Sequence, residues 1–333
     1  MSSAASDVYK RQVYDSVPAK HDLLDSYLHS CLHNVSGQRI QVKLTDLAED
    51  LEQRAHWLTD HLRRQEWIDG GSEGWFNSYY DNDGQAVEGF LPDGVRMMLT
   101  GQVFAIMGQV ADKQQIAAIA RSADHYLYQP EIGGYRLNTD FAELKFNLGR
   151  MFGFAYGEKE NGAVFSHMTV MYANALYRRG FAKEGWKALK TLADAALHFE
   201  TSRIYPGIPE YFSSDGRGMY HYLTGAASWF MLTMITEVFG VRGEAGDLVL
   251  EPKLTAEQFD QTGTAELRLV FAGRPLTVRY RNAGHKDYGA YTLAAARCGS
   301  QALVRTADGR MLLHRAAVEA LPAEGGVITA DLV

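Results

Sequence analysis

Four segments between residues 71 and 229 concentrate aromatic residues together with carboxylates, amides and arginines. Connections between packed helices usually have about two to eight residues, so segments of this length do more than join helices. Aromatic rings can stack on the C–H faces of sugars while polar groups bind the sugar hydroxyls. The composition therefore favours a carbohydrate-binding groove, although any single Trp or Tyr is more often a packing residue. The segments are GSEGWFNSYYDNDGQAVEG (71–89), GGYRLNTDFAELKFNLGR (133–150), GEKENGAVFSH (157–167) and IYPGIPEYFSSDGRGMYHYLTGAASW (204–229).

Thr224 and Gly225 stand where a helical pattern begins that continues to Phe239. The free N–H groups and the positive dipole end at a helix start favour an anion, and glycine lets that anion approach the backbone closely. His167, near the start of another predicted helix, is a side chain that can donate to an anion, and a hydrogen bond to a charged group contributes about 1.5–3 kcal/mol. Taken alone, Thr224 is more often an ordinary N-cap and His167 a structural residue at a helix start.

The elements that would position these groups follow a helical period up to about residue 243. Apolar residues recur at steps of three and four in six stretches, which predicts helices there. After Gly243, short segments with strand-like alternation are separated by turn residues, which predicts a β-sandwich. We therefore predict a mainly helical region over residues 13–243 and a β-sandwich over residues 244–333. The predicted helices span about 44–67, 100–110, 113–127, 167–179, 184–199 and 224–239.

Composition excludes several other classes of protein. The formal charge of −7 argues against nucleic acid as a partner, because binding a polyanion requires clustered Lys and Arg. Cys31 and Cys298, the only cysteines, predict neither a disulfide framework nor a thiolate metal site, and the histidines lack metal-ligand spacing. No apolar run is long enough for a membrane helix or a secretory signal. These features predict a cytoplasmic protein.

The first twelve residues, MSSAASDVYKRQ, differ in character from the rest of the chain. We interpret them as a non-native leader, with a disordered native tail as the alternative. On the first interpretation, the chain is the C-terminal part of a longer protein.

Several motifs carry a resemblance to a known family. GEKENGAVFSH, IYPGIPEY and GMYHYLTGAASW resemble the C-terminal region of the inverting phosphorylases of glycoside hydrolase family 94. The resemblance extends through TGQVFAIMGQVADKQQ, YLYQPEIGGYRLNT and VFGVRGEAGDLVLEPKL, and it covers roughly residues 20 to 255. The stretches around GRMFGFAYGEKENG and SRIYPGIPEYFSS are most similar to the 1,2-β-oligoglucan phosphorylases. The resemblance implies a partial (α/α)6 barrel, or helical toroid, followed by a jelly-roll-like β-sandwich.

The resemblance also implies roles for particular residues. His167, Thr224 and Gly225 would hold phosphate, which is a substrate and not a cofactor, and no metal or organic cofactor is implied. Lys159 falls where the family has a lysine that contacts the sugar substrate, and Glu158 is a further candidate contact, with a solvated surface position as its alternative. Arg150 falls where cellobiose phosphorylases have an acidic residue for the acceptor sugar. This departure indicates another linkage or an acceptor with a carboxylate.

The family's general acid is an Asp in a Trp-Asn-Asp-like segment, and this chain has no such segment. Asp15, Asp22 and Asp25 fit the first turns of a helix, and Asp81 and Asp83 fit a turn. We therefore predict no catalytic acid within the chain, place it upstream, and expect no turnover by this polypeptide alone.

The expected reaction of the whole protein is phosphorolysis of β-1,2-linked glucooligosaccharides, with inversion, to α-glucose 1-phosphate. Three alternatives remain open: a cellobionic acid phosphorylase, the phosphorylase-like region of a cyclic β-1,2-glucan synthase, and a non-catalytic sugar-binding helical toroid. A homodimer is the expected assembly.

Overall fold

The computed structural model describes residues 16–33, 37, 39, 41–142, 145–205, 207–220 and 225–333. The predicted leader over residues 1–12 lies outside these ranges, and so does Thr224. Both described cysteines, Cys31 and Cys298, are free. No helix in the described ranges has the length and apolarity to cross a membrane.

Helices dominate the first two thirds of the chain. Each of the six predicted helices is found, with ends shifted by a few residues. The helices are α1 (Val17–Cys31), α2 (Leu44–Gln65), α3 (Leu99–Met107), α4 (Lys113–Tyr126), α5 (Ser166–Arg178), α6 (Ala182–Leu197), the short α7 (Phe199–Ser202) and α8 (Gly225–Thr233), which continues as a π-helix over Met234–Val238.

The packed helices follow directly from local sequence. Asp112 caps α4 in a capping box with Gln115, so the helix begins where this pair satisfies its first N–H groups. Helices α5 and α6 form an antiparallel hairpin, and the turn between them contains Gly180 at a φ of +82°. Small residues and leucines at steps of three and four form the buried face of α6, which lets the two helices approach closely.

Short antiparallel strands lie between the helices, so the described structure mixes helix and sheet more than the sequence indicated. Three of these sheets are two-stranded hairpins, and a fourth has three strands in the order β7-β8-β9. The strands are β1 (Trp67–Gly70), β2 (Glu73–Phe76), β3 (Gly89–Leu91), β4 (Gly94–Arg96), β5 (Tyr128–Gln129), β6 (Gly134–Tyr135), β7 (Val164–Phe165), β8 (Tyr211–Phe212) and β9 (Gly218–Met219).

Two larger sheets occupy the rest of the chain. One has four strands in the order β10-β11-β17-β16, and the other has five in the order β12-β13-β18-β14-β15, with β13 and β18 parallel. Their strands are β10 (Val241–Glu244), β11 (Asp247–Leu250), β12 (Thr264–Phe271), β13 (Arg274–Arg281), β14 (Leu293–Cys298), β15 (Gln301–Ala302), β16 (Val304–Arg305), β17 (Met311–Leu313) and β18 (Gly326–Leu332), and helix α9 (Arg315–Glu319) precedes β18.

One apolar cluster joins the helices to both large sheets. It contains Tyr172 of α5 and Leu189 of α6 together with Leu248 of β11 and Val278 of β13. Strand alternation produces the sheet part, since alternate residues of β13 and β18 are buried. The (α/α)6 barrel and the domain boundary at 243/244 stay predictions; the first strand of the four-stranded sheet begins at Val241.

Candidate functional site

The three-stranded sheet β7-β8-β9 brings two of the polar, aromatic segments together. Val164 pairs with Phe212, and Tyr211 pairs with Met219. Beyond the end of β7, the Ser166 N–H donates to the Glu210 carbonyl at 2.9 Å, which fixes the start of α5. Residues far apart in sequence therefore meet beside the first turn of this helix.

His167 lies in that first turn, and its ring packs against Gly225 at the start of α8. A Cβ at Gly225 would lie 2.8 Å from both Cε1 and Nδ1 of the imidazole, so only glycine fits here without displacing the ring. The ring of Trp229 is 5.6 Å from the imidazole, centroid to centroid. The structure thus joins two of the three predicted phosphate ligands, while the third, Thr224, lies outside the described residues.

The His167 ring has a buried nitrogen that a ligand could use for a hydrogen bond. Burial lowers the pKa of His167, which favours the neutral imidazole. Its Nε2 atom is buried and has no hydrogen-bond partner among the described residues. No side chain of the described residues caps α5 at Phe165 either. A neutral ring with an unused nitrogen therefore stands beside an uncapped helix start.

Lys159 lies among tyrosines and a carboxylate. Its Nζ atom is 3.7 Å from the Tyr220 ring centroid and 5.8 Å from that of Tyr211. The same atom is 3.8 Å from Glu210 Oε1. Lys159 has a φ of +50° and Tyr220 has a φ of +56°, both in the left-handed region that costs a non-glycine residue energy. Lys159 and Tyr220 are thus two strained residues in contact, with the Lys159 cation over the Tyr220 ring. Such strain is more typical of a functional position than of a loop that only connects two elements.

Glu158 is bound to the same sheet. The buried Tyr211 hydroxyl donates to Glu158 Oε2 at 2.9 Å. Burial and this carboxylate raise the pKa of Tyr211, so the phenol stays protonated as the donor. This contact gives Glu158 a role in holding its loop, and its predicted contact with substrate stays a prediction.

Arg150 lines a cavity of about 300 Å³. Its side chain is 79% exposed, and its Nη2 atom lies 3.3 Å from Glu160 Oε1. Arg150 Cζ is 5.6 Å from the centroid of the Phe154 ring. Apart from Arg150 and Glu160, the residues that line the cavity are mostly apolar. The remaining lining residues are Met98, Thr100, Leu137, Asn138, Met151, Phe165 and Met168.

Glu88 is a functional-site candidate that the sequence did not reveal. Its carboxylate, in a side chain that is 4% exposed, accepts from Ser78 N at 2.8 Å and from Met98 N at 2.7 Å, and also from the Ser78 hydroxyl. Burial outweighs these bonds and raises the pKa of Glu88 to about 7. Glu88 thus ties the 71–89 segment to the residue that precedes α3. Its neighbours Val87 and Phe90 were the available signal, since a carboxylate between apolar residues suggests burial.

The other candidate acids behave as turn or surface residues. Asp22 and Asp25 are exposed on α1. Asp81 accepts from the N–H groups of Asp83 and Gln85 at 2.9 and 2.8 Å, as expected of a turn. Asp15 lies outside the described residues.

Comparison with known families places the chain among carbohydrate-active proteins. Residues 40–240 match the family described as "Glycosyl hydrolase 94 superfamily, catalytic domain". The chain belongs to this family, and the family prediction is confirmed.

Three curated relatives give the range of this similarity. The chain is 25% identical over 222 residues to a 3-O-beta-D-glucopyranosyl-beta-D-glucuronide phosphorylase of Paenibacillus borealis, covering 64% of this chain and 28% of the relative. It is 25% identical over 243 residues to a cellobionic acid phosphorylase of Neurospora crassa, covering 67% and 29%. It is 25% identical over 228 residues to the cyclic beta-(1,2)-glucan synthase NdvB of Rhizobium meliloti, covering 64% and 7%. The chain thus spans less than a third of the length of each.

Proposed function

We propose that this chain forms the phosphate-binding part of an inverting glycoside phosphorylase. Membership of the family supports the class of reaction. The observation that carries the proposal is the contact between the His167 ring and Gly225 at the start of α8, together with the buried Nε2 of His167, which has no hydrogen-bond partner among the described residues. Thr224 completes the proposed phosphate site, and Lys159 and Glu158 belong to the proposed sugar site.

The proposed reaction transfers a glucosyl group from a β-glucoside to phosphate. A phosphate oxygen attacks the anomeric carbon from the face opposite the leaving group, the glycosidic C–O bond breaks, and a carboxylic acid protonates the departing oxygen. An inverting hydrolase needs a second carboxylate to activate water. Phosphate is already an anion, so it needs positioning by donors such as a neutral His167 ring and free helix N–H groups.

The finer parts of the proposal concern substrate and assembly. We propose β-1,2-linked glucooligosaccharides as the substrates and α-glucose 1-phosphate as the product, with no cofactor. The relative named as a cyclic beta-(1,2)-glucan synthase supports this linkage. The proton donor is proposed to lie N-terminal to this chain. We further propose that residues 13–243 form a partial (α/α)6 barrel and that residues 244–333 form a β-sandwich. We also propose a homodimer and a cytoplasmic location.

Phosphate titration tests the proposal on the chain itself. We expect ³¹P NMR line broadening of inorganic phosphate by the wild-type chain, and a loss of affinity of about tenfold or more in His167→Gln, because a charge-assisted hydrogen bond is removed. His125→Gln is the control, since His125 is exposed and bonds Glu73 on the surface. Equal affinity of the wild type and His167→Gln would refute the assignment.

Turnover is tested by assaying the gene extended upstream of this chain with sophorose-type oligosaccharides. We expect release of glucose 1-phosphate that requires phosphate. Release of free glucose regardless of phosphate contradicts the proposed reaction. An oligosaccharide affinity that changes neither with phosphate nor in His167→Gln would favour the non-catalytic sugar-binding protein.

A further inference from the structure

Another cavity, of about 430 Å³, lies along helix α6, outside the site described above. Its volume falls within the range of small-molecule sites, about 300–1,000 Å³. None of the described residues that line it also lines the cavity beside Arg150. Most of the lining comes from α6, and the rest includes Tyr128 of β5 and Glu257, which precedes β12. A ligand in this cavity would thus be separate from one at His167 and Gly225.

A row of charged side chains runs along the α6 side of the cavity. Lys183, Lys187 and Lys190 follow one another at steps of four and three residues, so they lie on one face of the helix. Asp194 comes four residues later on the same face. The cavity therefore offers hydrogen-bond donors along most of its length and a carboxylate at one end.

The charges along the cavity are balanced. The Nζ atoms of Lys183 and Lys187 each lie 2.7 Å from an aspartate oxygen, and Lys190 forms an ion pair with Asp194. With Glu257, the lining side chains carry three positive and two negative charges. The aspartates that pair with Lys183 and Lys187 add two further negative charges. A dianion such as phosphate would therefore meet no net positive charge, which makes a neutral ligand the better match.

A neutral ligand with many hydroxyl groups fits these side chains. An ammonium group has three donors, a carboxylate such as Asp194 or Glu257 only accepts, and a hydroxyl group can bond to either. Tyr128 adds an acceptor. Thr191 Oγ1 donates to the Lys187 carbonyl at 2.8 Å, so it accepts from the Tyr128 hydroxyl at 3.0 Å, and the Tyr128 oxygen can still accept from a ligand. Sugar hydroxyls can therefore find donors and acceptors in turn along the cavity.

Apolar groups suited to the C–H face of a sugar accompany these polar ones. Pro130 and Ala195 supply apolar surface to the cavity. Beyond Asp194, α6 ends at Leu197, and the rings of Phe199 and Tyr205 follow, with their centroids 5.2 Å apart. Tyr205 is 78% exposed, which leaves ring surface for stacking. The cavity thus opens toward a surface on which a sugar chain can continue.

We propose that this cavity is a second carbohydrate-binding site, away from the reacting groups, and that it takes a neutral unit of a glucan chain. Membership of a carbohydrate-active family supports the class of ligand. The inference rests on the proposed function only for the choice of a β-1,2-linked glucan. Such a site holds substrate on the surface of the enzyme and raises its local concentration, as linked binding modules do.

The test follows the methyl group of Ala195, which lines the cavity, by NMR of a chain with ¹³C-labelled alanine methyl groups. Ala195→Ser identifies the signal. Sophorose should shift this signal to saturation in the wild type and, with the same affinity, in His167→Gln. Asp194→Asn and Glu257→Gln should each weaken sophorose binding by about tenfold, because each removes a charge-assisted hydrogen bond.

The same two substitutions separate a sugar site from an anion site. Each removes a negative charge, so inorganic phosphate would bind more tightly in both variants if the lysines formed an anion site. We expect phosphate to leave the Ala195 signal in place in the wild type and in both variants. A shift with phosphate that grows stronger in Asp194→Asn and Glu257→Gln would overturn the inference.

Glu319→Gln is the matched control. Like Asp194 beside Lys190, Glu319 is a partly exposed carboxylate that pairs with a cation four residues before it, here Arg315 at 2.7 Å on α9. Its substitution should leave the affinity for sophorose unchanged. The inference is overturned if sophorose does not shift the labelled signal of the cavity, or if both cavity variants bind sophorose as tightly as the wild type.

The two proposals fail separately. Phosphate binding that depends on His167, without any response of Ala195 to sophorose, removes only the second carbohydrate site. A response of Ala195 without any phosphate binding removes the phosphorylase assignment and leaves a sugar-binding protein. Loss of the Ala195 response in His167→Gln would mean that sophorose acts from the phosphate site, which also overturns the inference.

Discussion

At the scale of single residues, the candidate site was partly predictable. His167 and Gly225 were predicted together because their motifs resemble one family, and the structure places them in contact. Glu88 was missed because its behaviour depends on burial, which local sequence only hints at. The packing of Arg150 against Phe154 and Glu160 was likewise invisible, since it depends on how a loop folds back.

Gly225→Ala tests the close approach at the helix start. Alanine ordinarily stabilises a helix interior relative to glycine by about 0.8–1 kcal/mol. Here its Cβ would meet the imidazole at 2.8 Å, so we expect the clash to outweigh the propensity and to lower phosphate affinity by about tenfold. Gly153→Ala is the control, because a Cβ there meets nothing within 4 Å. Unchanged affinity in Gly225→Ala would contradict the assigned contact.

Glu88 predicts a specific dependence of stability on pH. Its folded pKa of about 7 lies above the ordinary value of 4.5, so the folded state holds the proton more tightly than the unfolded state. The stability that this proton contributes is complete below pH 4.5 and is lost as pH rises through 7, which corresponds to about 3 kcal/mol. In Glu88→Gln this pH-dependent part of the free energy of unfolding should be absent when denaturant unfolding is measured between pH 4.5 and 7. An identical slope in both proteins would show that the carboxyl titrates normally.

At the scale of elements, periodicity predicted helices well and small strands poorly. Helix α4 was expected over residues 113–127 and is found at Lys113–Tyr126. Strands β5 to β9 have two residues each, too few for any alternation to show, and the pairing of β7 with β8 joins segments that are far apart in sequence. The predicted last helix reaches its expected end, but as a π-helix over Met234–Val238.

A buried ion pair lies at the π-helix over Met234–Val238. Glu237 Oε2 accepts from Lys253 Nζ at 3.1 Å, and both side chains are almost fully buried. Lys253→Met should leave the carboxylate, among the described residues, with the more distant cation of Arg242 at 3.5 Å and lower the free energy of unfolding by about 3 kcal/mol. The double variant Lys253→Met with Glu237→Leu should recover most of this loss, because no buried charge remains. Urea denaturation of all three proteins measures both effects, and a fully stable single variant would contradict them.

At the scale of the whole molecule, packing is uneven along the chain. No residue of α1 or α2 is buried within these described helices, although Leu23, Leu28, Leu47 and Leu51 give them apolar character. The core instead joins helices α3 to α6 with the two large sheets. Amphipathic sequence thus predicted that α2 forms but not whether its apolar face would find a partner, because that depends on surfaces beyond the helix.

Limited proteolysis should report this difference. Segments with few buried contacts open at low free energy, so trypsin should cleave within α1 or α2 well before it cleaves within α5 or α6. Mass spectrometry of a time course identifies the order of cuts. Equal protection of Arg54 and of Arg178 would mean that α2 is covered in solution, for example by a second copy.

The indole of Trp229, 5.6 Å from the His167 ring, makes the site optically readable. A protonated imidazole quenches a neighbouring indole by electron transfer, whereas the neutral ring quenches weakly. The fluorescence of Trp229 is the part of the emission that is absent in Trp229→Phe. Because the pKa of His167 is lowered, this fluorescence should decrease only below the pH at which an ordinary histidine gains its proton. Phosphate would favour the imidazolium and shift that dimming to higher pH. The difference between the wild-type and Trp229→Phe spectra therefore reports the binding of phosphate, which has no fluorescence of its own. A difference spectrum that does not change with pH would show that the two rings are not in contact.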